Sequence, residues 1–532
     1  MEQPVFWADQ LAEKVVEEFP EEEVYVAAAG ITPSGKVHIG NFREIITVDL
    51  VVKALEERGE DVRFIYSWDD YDRFRKVPEG VPDGFEEHLG KPVSEVPDPE
   101  GCHGSYAEHF EDRLEEEIEP LGMDIEFVSQ TEMFRSCEYA DLMKKAMNRR
   151  EEVREILNDY RTEPLEEDWY PLRVYCTECG KDFTEVRGYD GGYEVTYYCE
   201  ECGEEREIDF SEEDSVKPPW RVDWPMRWEY EGVDFEPGGK DHSAAGSSRD
   251  TGKEIVEEIY DRKAPVYQMY EFVNLKGREG KMSSSSGDVM TPGELLRVYT
   301  PHMLRFLFAE TKPTRDFDIP LDEDIVTFYD KFDRIEDAYF NPGEVDNDRK
   351  REHWKRVYEL SMVEVPEEKP VRISFDHAAF VAQTVPRERW ETEGLEKLRE
   401  TGHVEEGLSD EQEQFVLDRL ERALNWSRDF APEEYVYRFN EEVPGEVVEE
   451  LSDEQLEAVK DLREMLEEED YGSSEELEDD LFELARSSGT DVGEFFTAAY
   501  LALLSREDGP RLADFILTRG QDEVLNVLRG ID

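Results

Sequence analysis

The chain has 532 residues, with 61 lysines and arginines against 135 aspartates and glutamates, and a formal net charge of −74. The acidity is spread over the whole chain, and 38% hydrophobic residues with 24 tyrosines exclude ordinary acidic disorder. No run of about 18 apolar residues occurs, and the N-terminus lacks the basic and apolar regions of a signal peptide. We therefore expect a soluble cytoplasmic protein with no membrane partner.

Such extreme acidity resembles the composition of proteins from salt-in halophiles. At molar salt the Debye length is about 3 Å, so repulsion between surface carboxylates is largely screened. The same charge argues against a nucleic-acid partner, because phosphate binding usually depends on a basic surface. Two basic clusters, at residues 144–150 and 349–356, are the local exceptions. Each is either a nucleic-acid contact or a solvated helix face.

The first predicted elements form a βαβ unit. An apolar run at 24–29 indicates a buried strand, the amphipathic stretch 42–58 a helix, and 62–68 a second strand. In such a unit the turn at the helix N-terminus binds phosphate. His38 stands at the helix entrance. The turn reads Gly30-Ile31-Thr32-Pro33-Ser34-Gly35-Lys36-Val37-His38-Ile39-Gly40-Asn41.

Four of the six cysteines form two Cys-x-x-Cys pairs, Cys176 with Cys179 and Cys199 with Cys202, separated by 19 residues. This spacing is typical of a zinc ribbon, and Asp190-Gly191-Gly192 between the pairs predicts a hairpin. A pair of disulfides is the alternative, which a reducing cytoplasm disfavours. With four thiolate ligands the zinc would have no open position, so we expect a structural site.

A second glycine- and serine-rich segment past the middle of the chain carries Lys281. A lysine on such a loop can neutralise nucleotide phosphates, and the neighbouring hydroxyls add donors. A serine run alone usually marks a surface loop, and an isolated His-Ile-Gly usually marks only a helix start. The order and setting of the two segments favour two halves of one ATP site. The second segment reads Gly280-Lys281-Met282-Ser283-Ser284-Ser285-Ser286-Gly287.

Helical patterns dominate the rest of the chain. Residues 291–307 predict one helix that begins at Thr291, and strand signals fade after about 345. Ser452 and Ser473, each followed three residues later by Gln455 or Glu476, indicate capping boxes. We expect an all-helical C-terminal domain.

The two segments resemble the HIGH and KMSKS signatures of class I aminoacyl-tRNA synthetases. The blocks 67–78, 218–228 and 239–242 resemble, within that class, the class I lysyl-tRNA synthetases found mainly in archaea. Roughly the first 300 residues carry the resemblance. Asn41 replaces the last histidine of the first signature and Ser284 the second lysine of the other, and both variants also occur in the lysine family.

The resemblance implies an α/β fold, a doubly wound Rossmann-like parallel sheet with a zinc-bearing insertion and an all-helical C-terminal domain. The implied limits are 1–95 and 216–310 for the two halves of the catalytic domain and 96–215 for the insertion. A stem-contact region would occupy 291–345 and an anticodon-binding domain 346–532.

The implied activity is lysine–tRNA ligation. Lysine and ATP with Mg²⁺ would give lysyl-adenylate, and the lysyl group would pass to the 3′-terminal adenosine of tRNA-Lys. His38 and Lys281 would be catalytic. The implied ATP-binding residues are Thr32, Pro33, Ser34, Gly35, His38, Gly40, Asn41, Lys281, Met282, Ser283, Ser284 and Ser285.

For the amino acid, Asp69, Asp70 and Glu271 are candidate partners of the ammonium groups, and Asp69 ranks first. A second zinc set is implied at Asp98, Cys102, His103 and His109, although polar loop residues with helix capping explain this cluster equally well. The implied amino-acid-binding residues are Gly30, Thr32, Asp69, Trp220, His242, Tyr267 and Tyr270.

Two alternatives remain from the sequence. Another class I enzyme, such as a glutamyl-tRNA synthetase, would share the split sheet and helical domain. A nucleotidylyltransferase would share the histidine turn, but it would not need the insertion or the helical domain. The sequence does not determine the oligomeric state, and a monomer is slightly favoured.

Overall fold

The computed structural model describes residues 4–78, 81–244, 246–276 and 289–531. The chain divides into two compact units. The first comprises Met1–Leu295, Leu304–Ile319 and Asn347–Val363, and the second Leu296–Met303, Pro320–Asp346 and Glu364–Asp532.

The described strands all lie in the first unit. In chain order they are β1 (Tyr25–Ile31), β2 (Val62–Trp68), β3 (Glu126–Ser129), β4 (Arg173–Val174), β5 (Thr184–Tyr189), β6 (Glu194–Cys199), β7 (Glu204–Asp209), β8 (Val216–Lys217), β9 (Phe235–Gly239), β10 (Val266–Tyr270), β11 (Val273–Leu275) and β12 (Phe317–Ile319).

Helices occur in both units. In chain order they are α1 (Trp7–Glu18), α2 (Ile39–Glu56), α3 (Tyr106–Ile118), α4 (Gln130–Arg135), α5 (Ala140–Asn148), α6 (Arg150–Asp159), α7 (Trp220–Glu231), α8 (Ser248–Glu258), α9 (Pro292–Leu296), α10 (Pro301–Ala309), α11 (Asp324–Phe340), α12 (Asp348–Ser361), α13 (Phe375–Thr384), α14 (Leu395–Glu400), α15 (Asp410–Asp429), α16 (Gly445–Glu450), α17 (Asp453–Glu468), α18 (Ser474–Ser487), α19 (Val492–Leu504), α20 (Leu512–Arg519) and α21 (Gln521–Leu528).

The central sheet is parallel and has the strand order β3-β2-β1-β9-β10. Side chains alternate between its faces. Val26 and Ala28 of β1 belong to the core cluster that contains Trp228 of α7 and Ile255 of α8. Helix α2 packs on β1, β2 and β9 without joining that cluster, so it covers the opposite face. The predicted βαβ unit and doubly wound sheet are confirmed.

The chain runs outward from β1 through β2 to β3 and then returns to place β9 and β10 on the other side of β1. In open α/β sheets, ligands bind at the carboxyl ends of the strands where the order reverses. Here that point lies between Gly30 near the end of β1 and Gly239 at the end of β9. The topology therefore places a crevice beside the first signature.

One strand of the sheet comes from inside the predicted insertion. The segment β3 pairs with β2 from Ile65–Glu126 to Trp68–Ser129, at the edge of the sheet. Four residues at an edge are too few to show an apolar pattern, so the sequence did not reveal this strand. Further along, β5, β6 and β7 form a separate antiparallel sheet. The hairpin predicted at Gly191, which has φ +86°, joins β5 to β6.

The single helix predicted over 291–307 is wrong. The segment forms two short helices, α9 and α10, and the second begins at Pro301. Proline disfavours the helical conformation in the residue before it and has no N–H to continue the hydrogen-bond ladder. At the start of α9 the prediction holds, since Thr291 Oγ1 accepts from Glu294 N at 3.2 Å.

The second unit is helical throughout its described residues, as predicted. Ser452 and Gln455 form a complete capping box at the start of α17. At the start of α18, Ser473 Oγ accepts from Glu476 N at 3.3 Å. None of the described helices is long and apolar enough to cross a membrane.

Arg43 joins helix α2 to a strand pair of the first unit. Its Nη1 donates to Phe272 O at 2.9 Å, and its Nη2 donates to the carbonyls of Lys312, Pro313 and Arg315 at 3.2, 2.9 and 2.5 Å. These carbonyls flank the parallel pair β11 and β12. One buried guanidinium thus positions four carbonyl groups relative to α2.

Candidate active site

His38 is the N-cap of α2 and is 7% exposed. Its Nδ1 accepts a hydrogen bond from Gly40 N at 3.1 Å, so the neutral ring carries its hydrogen on Nε2. Asn41 Oδ1 accepts from His38 N at 3.2 Å and completes a capping box. The Asn41 side chain therefore has a structural role beside the predicted one in ATP binding.

A helix start usually leaves its first N–H groups without a partner, but the structure shows partners for those of α2. The amides of Ile39, Gly40 and Asn41 donate to Met290 O, His38 Nδ1 and His38 O. An anion at this position is therefore attracted by the helix dipole and by the imidazole Nε2–H rather than by these amides.

The loop between β1 and α2 is fixed by two contacts from elsewhere in the first unit. Thr32 Oγ1 donates to Asp72 Oδ2 at 2.8 Å, and Tyr106 OH donates to Ser34 O at 3.0 Å. Of the other predicted ATP-binding residues in this part of the chain, Pro33 and Gly35 are buried within the same loop. The second signature, with Lys281, Met282, Ser283, Ser284 and Ser285, lies outside the described residues.

The predicted amino-acid-binding residues of the first unit follow the carboxyl ends of the strands. Gly30 lies near the end of β1, Asp69 directly follows β2, His242 follows β9, and Tyr270 ends β10. Tyr267 is half-buried on β10, where its hydroxyl lies 2.7 Å from Ser243 Oγ. The topology therefore gathers these predicted residues at one edge of the sheet.

Tryptophans of α7 form one wall of a small cavity of about 40 Å³ beside Gly30. Trp220 stacks on Trp224 with ring centroids 5.2 Å apart, and Trp224 contacts Trp228 at 4.6 Å. Trp228 is 1% exposed, whereas Trp220 is half-buried. Trp228 is therefore a core residue, and Trp220 is the one that presents an accessible aromatic surface.

Asp69 already has a cationic partner. Its Oδ1 accepts from Arg227 Nη1 at 2.6 Å, and both side chains are buried. Its predicted rank as the first partner of a substrate ammonium is therefore weakened. Asp70 lies apart, where its carboxylate accepts from Ser129 Oγ and Thr131 N. Glu271 pairs with Lys240 at 2.9 Å.

Asp69 belongs to a buried charge network behind the crevice. Lys217 Nζ lies 2.8 Å from Asp72 and 3.5 Å from Asp223, and Arg227 lies 3.5 Å from Asp223. Burial raises the pKa of Asp223, which is fully buried, despite its two cationic neighbours. The network contains three carboxylates and two cations, and it fixes the first turns of α7 to the loops that follow β1 and β2.

Glu44 is the functional candidate that sequence reasoning missed. Its Oε2 accepts from Tyr270 OH at 2.6 Å and its Oε1 from Gly30 N at 3.3 Å, so it lies among the predicted amino-acid-binding residues. Burial raises the pKa of Glu44 to about 8. No lysine or arginine of the described residues pairs with it. The available signal was the one acidic residue in the first half of α2, which follows directly after Arg43.

Glu236 is a second buried carboxylate at the edge of the same cavity. It accepts hydrogen bonds from Trp224 Nε1 at 3.0 Å and from Trp228 Nε1. Burial raises its pKa, and the two indole donors oppose that effect. Two indole donors thus satisfy Glu236, whereas Oε1 of Glu44 has only the long contact of 3.3 Å from Gly30 N, which makes Glu44 the better acceptor for an added ammonium group.

The four predicted zinc thiolates converge at the base of the antiparallel sheet. Sγ atoms of Cys176 and Cys202 lie 3.8 Å apart, as do those of Cys179 and Cys199. Two thiolates on a tetrahedral zinc at about 2.3 Å are separated by about 3.8 Å, whereas a disulfide requires about 2.05 Å. All four cysteines are free of disulfides. The cluster can therefore hold zinc, and the disulfide alternative is excluded by the distances.

Each Cys-x-x-Cys pair ends in a glycine of left-handed conformation, Gly180 with φ +72° and Gly203 with φ +71°. Their amides donate to Cys176 O and Cys199 O at 2.7 and 2.9 Å, closing two similar turns. Only glycine adopts this conformation without strain, so the repeated Cys-x-x-Cys-Gly pattern has a direct backbone cause.

The second predicted metal set also converges. Cys102 Sγ lies 3.0 Å from His103 Nδ1 and 3.3 Å from His109 Nδ1, and Asp98 Oδ1 lies 3.3 Å from His109 Nδ1. Asp98 in addition accepts from three backbone amides, of Glu100, Cys102 and His103. The donor set suits zinc, so these four side chains can hold one as well.

The two basic clusters are engaged within the protein. In the first, Lys145 pairs with Asp261 at 2.9 Å and Lys144 lies over the Tyr193 ring. In the second, Arg356 pairs with Asp9 and Lys350 lies over the Trp354 ring at 4.0 Å. These contacts favour the interpretation as helix surfaces of the first unit.

A doubly wound parallel sheet with a histidine at the first helix entrance and a crevice at the switch point is the arrangement of a nucleotide-binding α/β protein. Residues 5–364 match the family described as tRNA synthetases class I (K), and residues 429–531 match the family described as anticodon binding domain.

Relatives align over almost the whole chain. The lysine–tRNA ligase of Thermococcus kodakarensis is 44% identical over 530 residues, which is 99% of both chains. That of Pyrococcus horikoshii is 43% identical with the same coverage, and that of Borrelia garinii is 39% identical over 97% of both chains. The chain belongs to the class I lysyl-tRNA synthetases. Membership of a synthetase family implies ATP and Mg²⁺.

Proposed function

We propose that the chain ligates lysine to tRNA-Lys. In the first step the lysine carboxylate attacks the α-phosphate of ATP, forming lysyl-adenylate and releasing pyrophosphate. In the second, a hydroxyl of the 3′-terminal adenosine attacks the acyl carbon and AMP leaves. No side chain acts as a nucleophile, so positioning and electrostatics supply the rate. Family membership and full-length similarity to lysine–tRNA ligases support the proposal.

The observation that carries the lysine assignment is Glu44. Burial raises the pKa of this carboxylate to about 8, and no cation of the described residues pairs with it. A substrate ammonium group would supply the missing positive charge. Tyr270 orients this carboxylate, and Trp220 offers an aromatic wall for the aliphatic stem. Asp69 contributes indirectly, because its ion pair holds Arg227 in position.

His38 is the proposed donor to the nucleotide. With Nδ1 occupied by Gly40 N, the Nε2–H is the hydrogen that the imidazole can give to a phosphoryl oxygen. This donation strengthens as charge accumulates in the transition state. Lys281 is proposed to bind the departing pyrophosphate. Met282 to Ser285 are proposed to contact the nucleotide beside it. Thr32 to Gly35, Gly40 and Asn41 would line it from the first signature.

We propose that Cys176, Cys179, Cys199 and Cys202 hold a structural zinc, and that Asp98, Cys102, His103 and His109 hold a second. When bound, each ion would cross-link a loop-rich segment that lacks a large core of its own. Residues 291–345 are proposed to contact the acceptor stem and 346–532 to read the anticodon. We propose that the protein lies in the cytoplasm, where tRNA charging occurs. We also propose that this cytoplasm is rich in salt, which suits the protein's net charge of −74.

A glutamate substrate fits this crevice less well. A side-chain carboxylate requires a cation, and the buried cations behind the crevice, Lys217 and Arg227, are already shared among three aspartates. A nucleotidylyltransferase would not require the helical unit or its match to an anticodon binding domain. The arrangement therefore favours lysine.

The test is amino-acid-dependent pyrophosphate exchange in molar KCl with each of the standard amino acids, followed by charging of tRNA-Lys. We expect exchange with lysine alone and lysine-specific charging. Exchange with glutamate would contradict the assignment of the substrate, and exchange that needs no amino acid would contradict the assignment of the class.

A further inference from the structure

Three side chains with metal-ligand chemistry meet in the helical second unit, and none of them belongs to either predicted zinc cluster. They are His377 on α13, His403 in the turn after α14, and Asp514 on α20. Each offers a ligand atom within 4.8 Å of the others. His377 is 7% and Asp514 is 3% exposed, so two of the three are nine-tenths buried.

The imidazoles carry polar atoms without a hydrogen-bond partner. Nε2 of His377 and Nε2 of His403 are both buried, and neither makes a hydrogen bond within the part of the chain that the structure describes. His403 Nε2 lies 3.6 Å from Asp514 Oδ2, which is too long for a hydrogen bond. A buried donor or acceptor left unpaired costs roughly 1–3 kcal/mol. Two such atoms next to a buried carboxylate indicate a ligand that pairs with all three.

The surroundings hold the candidate ligands in place. Ser474 Oγ donates to Asp514 Oδ1, which leaves Oδ2 on the side of His403. His403 N donates to Leu398 O at 2.9 Å, and the preceding Gly402 has φ +74°, so a tight turn at the end of α14 sets the histidine. A hydrogen bond to the second oxygen of a ligating carboxylate is the usual outer-shell support of a metal site.

We propose that His377, His403 and Asp514 bind a divalent transition-metal ion of the zinc type. Two imidazoles and one carboxylate are a zinc ligand set, and hard ions such as Mg²⁺ favour oxygen ligands instead. The rings are stacked, with centroids 3.6 Å apart and planes at 21°, so metal binding requires a change of side-chain rotamer that separates them. The ion joins α13, the turn after α14 and α20.

The three protein ligands leave one position of a tetrahedral ion to another ligand. The three residues line a surface pocket of about 570 Å³, together with Ser374, Glu434, Arg506 and others. A water molecule completes the coordination, because the pocket is open and polar. The site thus differs from the four-cysteine cluster, where every position is a thiolate.

The test measures zinc in the full-length protein. The parent chain and the variants His403→Gln and Asp514→Asn are saturated with zinc sulfate, freed of excess metal by gel filtration and analysed by mass spectrometry of the metal. Each variant should carry one zinc fewer per chain than the parent. His353→Gln, a histidine of the first unit, is the control and should carry the parental amount. Equal zinc in the parent and both variants would overturn the proposal.

Two further measurements separate loss of the site from loss of the fold. Zinc should raise the thermal midpoint of the metal-stripped parent more than that of His403→Gln, and equal shifts would overturn the proposal. Ser474→Ala should weaken this zinc by about 10–100-fold in chelator competition while leaving the helical circular dichroism unchanged. Unchanged affinity in this variant would overturn the role given to Ser474.

Discussion

Tyr270 at the end of β10 donates a hydrogen bond to Glu44 of α2 at 2.6 Å. The tyrosine was predicted from the sequence and the glutamate was not, and the two meet beside Gly30 at the carboxyl end of the sheet. This hydrogen bond fixes the orientation of the Glu44 carboxylate. Substitution of Glu44 is therefore a direct test of the proposed amino-acid pocket.

Glu44→Gln should raise the KM for lysine by two to three orders of magnitude, since removing one partner of a buried charge pair costs about 2–5 kcal/mol. The measurement is pyrophosphate exchange at varied lysine. The matched control is Glu111→Gln on α3, whose pKa burial also raises to about 8. It should leave the KM for lysine unchanged, and an equal effect of both variants would contradict the role of Glu44.

The pair formed by Glu44 and Tyr270 predicts that the kcat/KM for lysine depends on pH. Because burial raises the pKa of Glu44 to about 8, the free protein carries it protonated below that pH, and lysine must displace the proton. The kcat/KM for lysine should therefore rise with pH up to about 8 and level off above it. In Glu44→Gln this rise should disappear, leaving only the titration of lysine itself. A profile shared by both proteins would rule out Glu44 as its origin.

His38 combines a helix cap with a proposed catalytic donor, and two substitutions separate these roles. His38→Ala should reduce lysine activation by roughly 10²–10³ and the stability by about 1 kcal/mol. His38→Asn keeps an N-cap side chain but loses the Nε2–H, so it should restore the stability and not the activity. Exchange rates and thermal midpoints provide the test. An active His38→Asn protein would show that capping was the whole function.

Gly30 has a packing reason in addition to its predicted place in the pocket. A Cβ at this position would lie 2.7 Å from Ser67 O on the neighbouring strand. The backbone of that strand cannot move away without a large cost in free energy. Gly30→Ala should therefore lower the stability by about 1–3 kcal/mol as well as weaken lysine binding. Gly445→Ala, with nothing within 4 Å of its Cβ, is the control. Unchanged stability of Gly30→Ala would contradict the steric explanation.

Cys176→Ser should remove one zinc per chain and lower the thermal midpoint before it affects chemistry, because a four-thiolate ion stabilises the fold and leaves no position for a substrate. Cys137→Ser is the matched control, since Cys137 belongs to neither predicted cluster. Metal analysis and melting curves give the result. A variant with full zinc content would refute the assignment of this site.

The net charge of −74 predicts a strong dependence of stability on salt. Raising KCl from 0.1 M to 1 M shortens the Debye length from about 10 Å to about 3 Å and weakens the repulsion between carboxylates. The thermal midpoint should rise steadily over that range and beyond. A midpoint independent of KCl would contradict the interpretation of the acidity as an adaptation to salt.

The sequence predicted those parts of the fold that have a strong local pattern. Periodicity sufficed for β1, α2 and β2, and cysteine spacing sufficed for the four-thiolate cluster. The edge strand β3 is too short to show a period. Pro301 marks the break between α9 and α10, but the apolar pattern on both sides of it predicts one continuous helix.

The site was less predictable, because its electrostatics depend on tertiary pairing. Asp69 is one of 135 acids in the sequence, and only the structure shows that Arg227 neutralises it. Glu44 gains its importance from Tyr270 and Gly30, which lie 226 and 14 residues away. The meeting of His377, His403 and Asp514 likewise depends on how three helical segments pack.

Arg43 binds the carbonyl of Phe272, directly before β11, and the carbonyls of Lys312, Pro313 and Arg315, shortly before β12. The two segments that lead into this strand pair are therefore held at one side chain of α2, so their spacing does not depend on the length of chain between them. A lysine, with one ammonium in place of a planar fork, could not serve four acceptors at once. A single side chain of α2 thereby ties together two segments that lie far apart in the sequence.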